Sequence, residues 1–377
     1  MKLGLNTFLY TSPFTTQSTR LFSRFARWGF NTVEIAVEDQ RHIDPLAVKA
    51  AATAAGLAIM GICAAMGPGR DFRGTPAEQK TAMTYCRALI DQAALMGCPT
   101  LVGPLYSVVG KADAVPAGQR RKEWSAVVKN LRTLARHAEA KGVTLCVEAL
   151  NRFETNFLNT CEQGLRLIAA IGSPAVKLHL DTFHMNIEEK DLGAAVRKPG
   201  RQLGHFHACG SDRGTPGGDH TDWPGIARAL KAVDYRGAVV IESFTPDVKV
   251  IARAAAIWRN IEPRRDDIAV NGRVFPAKST EIVRRRSLIP VQARRACPTA
   301  FPNRNACCFP LHEIHPPAPD PVTRLRRTNP RYLRVGQKNH LPRRQTQTQA
   351  VTTRTPRRLP APAKMPRRLP GHHHRRL

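Results

Sequence analysis

The chain has 377 residues, 42% of them apolar, enough for one large α/β domain or two ordinary ones. Its formal charge of +29 is unevenly spread: residues 1–262 hold 32 Lys and Arg against 24 Asp and Glu, whereas 263–377 hold 26 against 5. No run approaches the ~20 apolar residues of a membrane span, and the N-terminus lacks the charged, apolar and small-residue succession of a secretory signal.

Eight strand-like runs follow one another at fairly even spacing: 3–8, 32–37, 57–65, 99–106, 144–150, 175–183, 203–209 and 237–244. Helix-like segments lie between them. Start signals stand at Asp44-Pro45, at Thr75-Pro76 with Glu78 completing a capping box, at Asp222 ahead of Pro224, and at Thr245-Pro246. Gly29, Gly56, Gly97, Gly142, Gly172 and Gly237 each fall just past a helical pattern and before a strand, where left-handed backbone is expected. A last helix over about 247–260 completes eight βα units, which predicts a (β/α)8 TIM barrel over residues 1–262. A doubly wound open sheet would need a glycine-rich phosphate loop after the first strand, and none is there.

Residues 263–377 read differently. They hold 17 of the 29 prolines and 23 arginines against 3 lysines, with few clustered apolar residues, so a low-complexity, disordered tail is expected. The Pro-Arg-Arg-Leu-Pro unit at 356–360 and 366–370 is too short to build a solenoid. Six of the nine cysteines, Cys63, Cys86, Cys98, Cys146, Cys161 and Cys209, are scattered through the first part without a CxxC pair, which fits a reduced, cytoplasmic protein.

The chemistry concentrates at the ends of the last four strands. Glu148 ends the fifth, Asp181 the sixth, His207 the seventh and Glu242 the eighth, and in a TIM barrel those ends form the active-site mouth. Four such groups at one mouth would be very costly unless a cation neutralised them. Two glutamates, an aspartate and an imidazole suit manganese or magnesium better than a thiolate-seeking ion. His179 and His205 lie two residues earlier on the same strands, one layer deeper, and read as core or ligand-orienting residues. Glu34, in Val33-Glu34-Ile35, stays unassigned. Glu154, His184 and Arg213 stand on connecting loops, each as compatible with a surface salt bridge as with substrate contact. The glycine-rich stretch 210–220 reads as a covering loop. A divalent ion that chelates adjacent oxygens of a hydroxyketone acidifies the C–H between them and stabilises the enediolate. Two flanking glutamates, Glu148 and Glu242, could then take the proton from one face and return it to the other, epimerising that carbon.

Residues 147–154 (VEALNRFE), 179–186 (HLDTFHMN), 204–217 (GHFHACGSDRGTPG) and 239–244 (VVIESF) resemble the ketose 3-epimerases, the D-tagatose and D-psicose (allulose) 3-epimerase group of the xylose-isomerase-like barrels. The resemblance spans about residues 3–262. It implies that Glu148, Asp181, His207 and Glu242 hold manganese, or cobalt or magnesium in its place, and that Glu148 and Glu242 double as the acid/base pair. It also implies that Glu154, His184 and Arg213 contact the sugar near O1 to O3, and that the protein is a homodimer or homotetramer. Such proteins usually finish with a short apolar helical segment soon after a stretch like Asp266-Asp267-Ile268. Here the Arg/Pro-rich segment follows Gly272, and it reads as out-of-frame or otherwise non-homologous sequence.

The expected substrates are free ketohexoses, D-fructose with D-psicose and D-tagatose with D-sorbose. Rival readings on the same barrel are an aldose–ketose or hydroxypyruvate-type isomerase and an inosose dehydratase. A reading from another class is nucleic-acid binding through the tail. It is disfavoured because that tail offers only Tyr332, Phe275, Phe301 and Phe309 for stacking on bases. The His372–His374 run reads as a surface tract rather than a metal site.

Overall fold

The structure is a computed structural model that describes residues 2–273; of the tail expected to be disordered from 263, Arg265–Gly272 instead form a helix because Ile268 and Ala269 are buried against the barrel, and the remainder, with its histidine run, lies outside the described residues. Eight parallel strands close on themselves in chain order: β1 (Lys2–Asn6), β2 (Thr32–Val37), β3 (Ala58–Ala64), β4 (Thr100–Gly103), β5 (Thr144–Glu148), β6 (Val176–Asp181), β7 (Leu203–Ala208) and β8 (Ala238–Ile241). Closure comes from β1 pairing with β8, Leu3 beside Val239. Because helices cover the outside and side chains fill the inside, the strands are buried on both faces, and Thr32–Val37 is buried at every position. The (β/α)8 expectation is met.

The helices are α1 (Phe22–Arg27), α2 (Pro45–Ala54), α3 (Pro76–Met96), α4 (Ala117–Lys141), α5 (Cys161–Ile171), α6 (Thr182–Glu188), α7 (Leu192–Arg197), α8 (Trp223–Ala232), α9 (Lys249–Ala254) and α10 (Arg265–Gly272). Asp44 caps α2 by accepting from the Leu46 and Ala47 amides, Thr75 and Glu78 form the capping box of α3, and Asp222 caps α8. None of these helices is long and apolar enough to cross a membrane.

Several expected boundaries move. The fourth strand stops at Gly103, because Pro104 has no N–H to give the ladder. The first stops at Asn6, whose side chain accepts from the Phe8 amide and turns the chain into a 3-10 helix. The helix expected over 247–260, with its start at Thr245-Pro246, covers only Lys249–Ala254, and Ala256 follows in left-handed backbone at φ 55°. Gly237 does not carry the left-handed turn before β8; Asp234 does, at φ 53°, a conformation that Asp tolerates. His184, expected on a loop, sits in α6.

Two register slips shape the barrel interior. Between β2 and β3 the pairing passes from Val33 with Ile59 to Glu34 with Gly61, leaving Met60 as the extra residue. Between β6 and β7 it passes from Leu178 with Leu203 to His179 with His205, leaving Gly204 as the extra one. The second slip sets His205 and His207 beside His179 and Asp181. At the C-terminal end α10 buries Ile268 and Ala269, while Asp266 accepts from Tyr10 and pairs with Arg24.

Candidate active site

The last four strands converge at their C-terminal ends, and the nearest donor atoms of Glu148, Asp181, His207 and Glu242 all lie within 4.8 Å of one another. All four residues are buried. Glu148 and Asp181 are the final residues of β5 and β6, His207 lies in β7, and Glu242 is the first residue past β8. Asp181 also caps α6, accepting from the Phe183 amide at 2.8 Å, which fixes its other oxygen toward the mouth.

Behind these four residues stand groups that orient them. Glu34, left unassigned by its sequence, reaches across the barrel so that His207 Nε2 lies 2.8 Å from its Oε1 and His205 Nε2 lies 2.7 Å from its Oε2. With Nε2 so engaged, the His207 Nδ1 faces the cluster, 3.4 Å from Glu242 Oε2. This is the carboxylate–histidine arrangement found behind metal-ligating imidazoles. The carboxylate fits there because residue 61 is glycine: a Cβ on it would stand 2.5 Å from Glu34 Oε2. Asn6 Nδ2 donates to Glu34 at 2.7 Å and to Glu242 at 3.1 Å, bridging the two carboxylates. Asn6 and Asn151 are the other residues that the sequence did not single out.

Glu154, His184 and Arg213 join the same cluster. Arg213 is buried, its guanidinium 4.0 Å from the Phe183 ring and 4.8 Å from that of Phe244. It donates to Asp181 at 2.9 Å and stands 3.5 Å from Glu242, 3.7 Å from Glu154 and 3.0 Å from His184 Nε2. Its backbone lies in the left-handed region at φ 67°, at a cost of order 1–3 kcal/mol. His184 Nδ1 accepts from the Asn151 amide at 3.0 Å. Asn151 also donates to Glu154 at 2.8 Å.

The electrostatics follow from crowding in a dry site. Burial and the neighbouring Glu242 push Glu148 well above the ordinary carboxylate range, and burial raises Asp181 to about 6. Burial acts on Glu242 in the same sense, but the His207 ring and the Arg213 guanidinium outweigh it and leave this carboxyl below its usual value. Burial opposes a charged His207, yet Glu34 and Glu242 on either side raise its pKa well above the ordinary imidazole value. Burial keeps His179, His184 and His205 neutral. The raised values of Glu148 and Asp181 mark negative charge that Arg213 and His207 do not fully offset, and a divalent cation would offset the rest. Two buried atoms of the cluster, Glu148 Oε1 and His207 Nδ1, have no hydrogen-bond partner among the described residues. Orphaned donors of this kind, in a set of hard oxygens with one imidazole, fit an oxygen-preferring divalent ion.

The six cysteines of the described region are free and buried. Burial raises the Cys63 thiol well above its usual pKa, so it is held as the thiol beside the cluster.

Comparison with known proteins agrees with this geometry. The family described as xylose isomerase-like TIM barrel matches residues 22–261. A probable ketose 3-epimerase of Synechocystis sp. is 33% identical over 276 residues, which are 73% of this chain and 95% of that protein. An L-ribulose 3-epimerase of Mesorhizobium japonicum is 32% identical, with 76% of this chain and 96% of that one covered. The crystal structure of a D-allulose 3-epimerase from Methylomonas sp. superposes with a TM-score of 0.69 at 30% identity, covering 74% of this chain and 98% of that one. The chain belongs to the xylose isomerase-like TIM barrel family and, within it, to the ketose 3-epimerases, which are enzymes of the isomerase class.

Proposed function

We propose that this protein inverts free ketohexoses at C3, interconverting D-fructose with D-psicose and D-tagatose with D-sorbose. The observation that carries the reading is the placement of its two glutamates: Glu148 at the end of β5 and Glu242 just past β8 are buried in one cluster with Asp181 and His207, their nearest donor atoms within 4.8 Å of one another. Two carboxyl groups in one cluster, one to take a proton and one to return it, are what proton exchange between two faces of one carbon requires.

Glu148, Asp181, His207 and Glu242 would hold one divalent ion, manganese by the balance of carboxylate and imidazole donors, with cobalt or magnesium able to substitute. When bound, such an ion supplies Lewis acidity toward the ketose oxygens next to C3. The Glu242 carboxylate takes the C3 proton from one face of the sugar, and the Glu148 carboxyl delivers its own proton to the other. In the reverse direction the two exchange roles, which suits a reaction between near-equal epimers. Arg213 and His184 donate to the sugar oxygens that become more negative as the proton leaves, and Glu154 accepts from a hydroxyl near O1 to O3. Phe183 and Phe244 shield the guanidinium from water and hold its plane.

In the same reading residues 1–262 are the catalytic domain, residues 263–377 take no part in the reaction, and the working enzyme is a homodimer or homotetramer. The test is incubation of the purified protein and manganese with D-fructose and D-tagatose in D2O, with the sugars separated by chromatography. C3 epimers carrying deuterium at C3 are expected. Deuterium confined to C1 or C2, or the absence of any C3 epimer, would overturn the proposal. Light scattering reads the assembly.

A further inference from the structure

The opposite, N-terminal end of the barrel carries a cavity of about 450 Å³, lined by the beginnings of β4 to β8 and the turn before β8. In this architecture that end ordinarily serves stability, so a cavity ringed by cations there calls for a reason of its own. Its charged lining consists of Lys177, Arg201, Arg236 and one acid, Asp234, which pairs with Arg236 at 2.5 Å. Lys177 is half-buried, and neither it nor Arg201 makes a hydrogen bond or ion pair with any described residue. Two of the lining residues are glycines against which neighbouring side chains pack closely. A Cβ on Gly204 would stand 2.6 Å from Lys177 Cβ and 2.7 Å from Cys146 Sγ, and one on Gly237 would stand 2.3 Å from the Tyr235 hydroxyl. Gly204, which lines the cavity, is also the extra residue of the β6/β7 slip that aligns the histidines.

We propose that this cavity is a binding site for a phosphorylated small molecule, its phosphate held by Lys177 and Arg201 with Arg236 at the rim. A cationic recess with its single carboxylate already paired attracts anions and repels cations. Charge-assisted contacts to Arg and Lys are the usual means of holding phosphate. The volume lies within the range of small-molecule sites and exceeds what a bare phosphate would fill.

The experiment is calorimetric titration of the full, manganese-loaded chain with glucose 1-phosphate at low ionic strength, beside inorganic phosphate and unphosphorylated glucose. Because the basic segment beyond residue 273 also attracts anions, the comparison that decides is with the Lys177→Gln/Arg201→Gln double variant. Saturable binding of glucose 1-phosphate that is tighter than that of inorganic phosphate, absent for glucose and about tenfold weaker in the double variant is expected. Equal affinity in the two proteins, or no saturable binding, would overturn the proposal. Should the double variant fold poorly, a crystal of the unaltered protein soaked with glucose 1-phosphate answers directly: density beside Lys177 supports the site, and a phosphate found only elsewhere sinks it.

Discussion

Replacing Glu34 by Gln removes one negative charge from behind the ligand cluster while keeping the shape of the side chain. Its Oε1 can still accept from Asn6 Nδ2 and face His207 Nε2, at 2.7 and 2.8 Å, and the new amide falls where Oε2 now stands, 2.7 Å from a neutral His205 ring that can accept from it. The fold should therefore survive, and the electrostatic contribution is isolated. A carboxylate behind a metal-bound imidazole raises its basicity and fixes its orientation, and loss of such a partner typically costs about 10–100-fold in metal affinity, or about 1.4–2.7 kcal/mol. Calorimetric titration of the metal-free protein with manganese at neutral pH should show that weakening, with the melting temperature of the metal-free state little changed. The steric counterpart is Gly61→Ala, whose methyl group would stand 2.5 Å from Glu34 Oε2 and 3.2 Å from its Cγ and Cδ, so the carboxylate must move. Manganese affinity within about twofold of the unaltered protein in Glu34→Gln would refute the reasoning, because it would mean that Glu34 only fills the barrel interior.

Glu148→Gln and Glu242→Gln should each lower kcat/KM for D-fructose by about 10²–10⁴, the usual contribution of a general acid or base, in a steady-state assay of C3 epimer formation. Manganese at 100 times its Kd should stabilise the protein by about 2.7 kcal/mol over the chelator-treated state, a rise of about 5–10 °C in melting temperature by calorimetry. Glu123, buried against Arg73 at 2.8 Å, tests pH dependence: burial raises its carboxyl, but hydrogen bonds from Gln119 and Arg73 outweigh this and leave it below its ordinary value. Its contribution is thus fully present above the unfolded value of about 4.3 and is lost as the pH falls through the folded one, so the stability gap to Glu123→Gln in urea unfolding should close in acid. A chain ended after Arg273 should keep its melting temperature and turnover. One ended after Glu262 loses the burial of Ile268, about 1.5–3 kcal/mol, with the Asp266 contacts to Tyr10 and Arg24 as well, and should melt lower.

The clustering of Glu148, Asp181, His207 and Glu242 was legible in the sequence because each lies at or beside the C-terminal end of an apolar strand, where an ionisable residue has few structural reasons to exist. Glu34 carried the same signal, a glutamate inside Val33-Glu34-Ile35, but its meaning depends on a partner 173 residues away, His207, which only closure of the barrel brings near. Asn6 was less legible still. It reads as an ordinary strand end, and its role arises because β1 lies between β2 and β8, which puts its amide between Glu34 and Glu242. Helix starts were read well where a side chain caps the helix, as at Asp44, Thr75 and Asp222. The start at Thr245-Pro246 failed because no such cap forms there; α9 begins only at Lys249, with no side-chain cap from Val248.

The two register slips show why the interior cannot be read from alternation alone. In a regular parallel pair, neighbouring strands keep one phase, and a shift of one residue turns a side chain from the barrel axis to the helices. Each slip here adds one residue to the second strand of a pair, Met60 in β3 and Gly204 in β7, and each has a glycine at or next to the added position. Gly61 leaves the room that Glu34 takes inside the barrel, and Gly204 leaves the room that Lys177 takes at its N-terminal end. The catalytic mouth and the opposite cavity therefore depend on the same kind of irregularity, and filling either glycine should disturb one end while sparing the other. Gly61→Ala should weaken manganese binding without changing that of glucose 1-phosphate, and Gly204→Ala, by displacing Lys177, should do the reverse; loss of both in either variant would mean that the slips serve the fold as a whole and neither end in particular.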